Sequence, residues 1–131
     1  LTLSIAVFIY GSNEKMRISN IEEFRSVINK HIIIKKDEPS DYILFANEGL
    51  ASTAVYTYYS DSYSKLFSVK KDNLSNLKNE INSGAKYIFF LNTSYGDTLN
   101  HLKKNKEILD WLNIYKEKLY ESESIILYDL S

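Results

Sequence analysis

The side chains able to carry chemistry are few in this chain of 131 residues, and their types narrow what it can do. Cysteine is absent, which excludes disulfides, thiolate metal sites and cysteine nucleophiles together. The two histidines, His31 and His101, stand seventy positions apart, and neither sits in an H-x-x-x-H or H-x-x-E pattern. Metal ligation needs such convergent spacing, so no metal is expected. His31 closes an apolar helical stretch, where a cation suits the helix dipole, and His101 is expected on an exposed helix face. No catalytic residue is assigned and no cofactor is implied.

Nucleotide and hydrolase signatures are missing as well. A dinucleotide site needs G-x-G-x-x-G so that backbone can approach the pyrophosphate, but the first glycine loop, Gly11-Ser12-Asn13-Glu14, holds one glycine. Neither G-x-x-x-x-G-K-[ST] nor G-x-S-x-G occurs. Two polar loops remain as candidate ligand-binding sites because each follows an apolar run: Asn47, Glu48 and Gly49 in one, and Asn92, Thr93, Ser94 and Asp97 in the other. Open α/β sheets bind ligands beyond the carboxyl ends of their strands. The plainer reading of both is an ordinary strand-to-helix loop with a capping residue. Among the eleven tyrosines, Tyr58, Tyr59 and Tyr63 form a candidate aromatic contact face able to stack on a sugar or enter an interface, although core packing accounts for most of that cluster.

The elements that must position these loops follow from the apolar pattern. Ser19-Asn20-Ile21-Glu22 reads as a capping box opening an amphipathic helix over 20–31, with Phe24, Val27 and Ile28 on one face. Tyr42–Ala46, Leu66–Val69, Tyr87–Leu91 and Ser124–Leu130 read as strands, the apolar ones buried on both faces. Leu50–Tyr59 can form a helix. Asp72 is expected to cap a short helix carrying Leu74, Leu77 and Ile81, which Ser83-Gly84 stops. From Leu99 to Leu119 the spacing predicts one long helix, interrupted at most near Asn105. Thr2–Tyr10 is far shorter than the ~20 residues that span a bilayer. It reads as a first strand or as the tail of a transmembrane helix.

Alternating strands and helices with apolar strands predict an α/β fold: a three-layer α/β/α sandwich of Rossmann or flavodoxin type, its mostly parallel sheet having about five strands. The length suits a single domain over residues 1–131. Because Leu1 is not Met, that domain is expected to have been excised from something larger. A net charge of −1 offers no footprint for nucleic acid.

The order of these features resembles the soluble C-terminal domain of GT-C type membrane glycosyltransferases, those similar to dolichyl-phosphate-mannose protein mannosyltransferases and aminoarabinose transferases. The residues that carry it are the helix at Glu22-Glu23-Phe24-Arg25, the strand led by Pro39-Ser40-Asp41, the helix closing on Tyr58-Tyr59, the strand led by Ser83-Gly84-Ala85, and the terminal Ile126-Leu127-Tyr128-Asp129-Leu130. It spans about residues 20 to 130, and its motifs are short and mostly structural. The family's catalytic acidic residues lie in its membrane-embedded part, and no position here matches them.

The resemblance implies a noncatalytic accessory domain of an enzyme that uses a polyprenyl-phosphate-linked sugar. It also implies a place on the extracytoplasmic face of a bacterial cytoplasmic membrane. Its partners would be the membrane-embedded part of the same polypeptide and a glycan or lipid-linked sugar. The alternative, in a cytoplasmic setting, is a freestanding Rossmann-like domain that binds a small molecule or nucleotide at the carboxyl ends of its strands.

Overall fold

A computed structural model describes residues 14–32, 41–46, 64–92 and 98–131 of the chain. In chain order these form α1 (Glu14–His31), β1 (Tyr42–Ala46), β2 (Ser64–Phe67), α2 (Leu74–Ser83), β3 (Ala85–Leu91), α3 (Thr98–Lys104), α4 (Lys106–Tyr115), β4 (Glu117–Glu121) and β5 (Ile125–Asp129). The expected strand Thr2–Tyr10 and helix Leu50–Tyr59 lie outside the described residues.

The five strands make one sheet in the order β2-β1-β3-β5-β4. β1 pairs parallel with β2 and with β3, whereas β5 pairs antiparallel with β3 and with β4. This mixed sheet corrects the sandwich of Rossmann or flavodoxin type with a mostly parallel sheet. Its cause is local. Over the last turn of the stretch read as one long helix, the chain leaves the helix at Lys116, whose backbone is extended (φ −126, ψ 156). It then becomes β4. Ser122 to Ser124 turn the chain back, the Ser122 N–H donating to the Ile125 carbonyl at 2.8 Å. A hairpin can only pair antiparallel, so β5 enters the sheet head-down between β3 and β4.

Strand burial explains the rest of the order. β1 is buried at every position and β3 at all but one, as strands covered on both faces must be. At the edge, β4 is mostly exposed and carries Glu117, Lys118 and Glu121. Charges there discourage pairing with another chain.

Each sheet face has its own core. On one face Leu44, Ala46, Ile88, Phe90, Ile126 and Tyr128 pack with Leu77 of α2, Leu99 and Leu102 of α3, and Ile108 and Leu112 of α4. On the other, Ile43, Phe45, Phe89, Leu91 and Leu127 meet Phe24 and Val27 of α1. There the Phe24 ring lies 5.0 Å edge-on from Phe89 and 5.5 Å from Phe45. Such aromatic pairs add about 0.5–1.5 kcal/mol beyond their buried area, and they fix where α1 sits.

Helix ends differ in detail from the expected signals. α1 begins at Glu14, so Ser19 lies inside the helix and cannot cap it. At α2 the cap is Asn73, not Asp72. The Asn76 N–H donates to Asn73 Oδ1 at 3.0 Å and the Asn73 N–H to Asn76 Oδ1 at 2.8 Å, a reciprocal box. Asp72 instead accepts from the Ser68 N–H at 2.9 Å, closing the turn after β2. The helix stops at Gly84, whose φ of 123 is open to glycine without a Cβ penalty. The long helix breaks at Asn105 into α3 and α4, where the predicted stripe is interrupted. Among the described residues no helix is long and apolar enough to cross a membrane.

Candidate functional site

β1, β2 and β3 run in one direction, and β4, antiparallel to β5 as β3 is, runs with them. The sheet therefore has a carboxyl end, where Ala46, Phe67, Leu91 and Glu121 finish, and an amino end. Both sequence-predicted loops follow strands that finish at the carboxyl end. Asn92 is described there. Asn47, Glu48, Gly49, Thr93, Ser94 and Asp97 lie outside the described residues, as do Tyr58, Tyr59 and Tyr63.

Asn92 directly follows β3, the central strand. Its backbone N–H donates to the Ser124 carbonyl at 2.8 Å, continuing the β3–β5 ladder by one bond. Two residues beyond Phe90, its side chain falls by strand alternation on the face of α2, α3 and α4. Nearby in the chain, Thr98 opens α3 fully buried. The Asn92 Oδ1 atom is buried and has no hydrogen-bond partner among the described residues. Natively folded chains leave few buried polar atoms unpaired, because each costs about 1–3 kcal/mol. An amide oxygen in this position can accept one hydrogen bond or two, from a hydroxyl or an amine.

On the opposite face of the carboxyl end, the β4–β5 turn is tied to α1. The Ser122 hydroxyl donates to Glu23 Oε1 at 2.5 Å and accepts from the backbone N–H groups of Ser124 and Ile125, each at 3.2 Å. A serine beside a carboxylate invites comparison with an activated nucleophile. Here both Oγ lone pairs face backbone donors, and a carboxylate without an imidazole is a poor base for a hydroxyl. The contact is a strut between α1 and the hairpin. It links residues 99 positions apart, and no local signal marks it.

The amino end holds two buried tyrosines. Tyr42 opens β1, and its hydroxyl donates to Glu80 Oε2 at 2.6 Å with the Glu80 carbonyl 2.9 Å away. The Lys65 ammonium lies 5.0 Å from the Tyr42 ring centre and 3.6 Å from the same carboxylate oxygen. Burial first, and then the Glu80 carboxylate, push the Tyr42 pKa from 10.0 up to about 12. Tyr128 in β5 is fully buried and donates to Asn113 Oδ1 at 2.6 Å. Burial, with the Glu121 charge second, raises its pKa likewise to about 12. Both hydroxyls stay protonated as donors, so neither is a base or a nucleophile near neutral pH.

The histidines do not converge. His31 ends α1 half-buried, its ring 6.4 Å from that of Tyr120. His101 in α3 is half-buried rather than exposed. Among the described residues no group of three or more His, Asp or Glu is placed to hold a metal ion.

Sequence reasoning missed a surface aromatic pair. Trp111 and Tyr115 of α4 lie with ring centres 5.7 Å apart, and the Lys78 and Lys116 ammonium groups stand 5.6 and 5.7 Å from the Trp111 ring. The i,i+4 spacing was the available signal, but it reads equally as core stripe. Comparison with protein-family models, curated proteins and solved structures finds no match for the chain.

Proposed function

We propose that this chain is an accessory extracytoplasmic domain of a membrane glycosyltransferase that uses a polyprenyl-phosphate-linked sugar, and that the domain is itself noncatalytic. What supports the reading is where the residues of the resemblance fall. Tyr42, after Pro39-Ser40-Asp41, opens β1, Gly84-Ala85 opens β3 through a positive-φ turn, and Tyr128 sits in the last strand. Of the motif residues that are described, Tyr42 and Ala85 thus start strands of the sheet and Tyr128 lies in its last one. Chemistry would belong to the membrane-embedded part of the polypeptide, and the domain would contact that part or the acceptor at the membrane surface.

These 131 residues hold no cysteine, so a thiol introduced here is read against the same whole reading frame without it as the labelling control. Glu123→Cys, at the exposed hairpin turn, is expected to react with a membrane-impermeant maleimide in intact cells that carry the whole reading frame. Labelling only after lysis would contradict the extracytoplasmic placement.

A second reading is favoured by one observation, the buried Asn92 Oδ1 that no described residue bonds. On that reading the carboxyl end of the sheet binds a small molecule that brings a hydroxyl or amine donor. A thermal-shift series with nucleotides and free sugars tests it. A shift that Asn92→Ala abolishes supports this reading, and an unchanged shift, or none with any compound, counts against it.

A further inference from the structure

We draw no further inference here: the strongest candidate, the surface patch at the C-terminal end of α4 where Ile114 (71 % exposed) and Tyr115 (67 % exposed) stand beside Trp111, is an unpartnered face, and nothing in the structure shows what covers it.

Discussion

At the amino end of the sheet Tyr42 and Tyr128 each give their hydroxyl to a side chain, Glu80 and Asn113, at 2.6 Å, whereas at the carboxyl end the buried Asn92 Oδ1 has no partner among the described residues. The two ends are built from similar material, polar groups at the margins of apolar strands. Among the described residues they differ in whether a hydrogen bond offsets the burial. A satisfied buried donor contributes about 0.5–1.5 kcal/mol net, and an unsatisfied acceptor costs more than that. The amino end therefore works as a clamp that holds α2 to β1 and α4 to β5. At the carboxyl end none of the described residues offsets the burial of Asn92 Oδ1, a cost that folds tolerate mostly where something other than stability is served.

Substitutions at the two ends should separate these roles. The largest effect is expected for Tyr128→Ala, which empties a fully buried ring site against Phe90 and strips Asn113 of its donor. It should cost about 3–5 kcal/mol in urea unfolding. Ser122→Ala removes the strut to Glu23 and both turn bonds, and a loss of about 1–2 kcal/mol by the same measurement is expected. Tyr42→Phe keeps the ring and deletes only the bond to Glu80, for about 1 kcal/mol.

The two tyrosines also set an alkaline limit. Their folded pKa values, about 12, lie above the unfolded 10.0, so the native state holds protons that the unfolded state releases. Their contribution is complete below pH 10.0 and is lost as pH rises towards about 12. Melting temperatures followed across that window should fall, and in Tyr42→Phe, Tyr128→Phe the fall should be shallower. The smallest change is expected at the other end. Asn92→Ala removes a buried amide oxygen that no described residue bonds, leaves its backbone bond to Ser124 intact, and should alter stability by less than about 0.5 kcal/mol or raise it slightly. A loss matching that of Tyr42→Phe would erase the contrast between the ends.

Much of the fold was legible from local pattern, and the error that changed the sheet has one cause. β1, β3 and β5 are continuous apolar runs that only a doubly covered strand explains. Gly84 announced the end of α2. The misreading lay between Tyr115 and Leu119, whose four-residue spacing imitates a helical stripe. The competing signal, the polar Ser122-Glu123-Ser124 between two short apolar-bearing runs, is a hairpin signature. That hairpin turned a parallel expectation into a mixed sheet. At the candidate site, Asn92 was legible as a residue beyond a strand's carboxyl end. That no described residue bonds its buried oxygen was not, because pairing depends on what packs around it. Glu23 with Ser122 and Tyr42 with Glu80 were hidden for the same reason, each bond joining residues 38 or 99 positions apart.

The central claim, an accessory domain attached to a membrane enzyme, is tested most directly by sequencing the gene upstream of the codon for Leu1. An open frame that encodes several apolar spans of about 20 residues each is expected. A start codon immediately before Leu1 would contradict it.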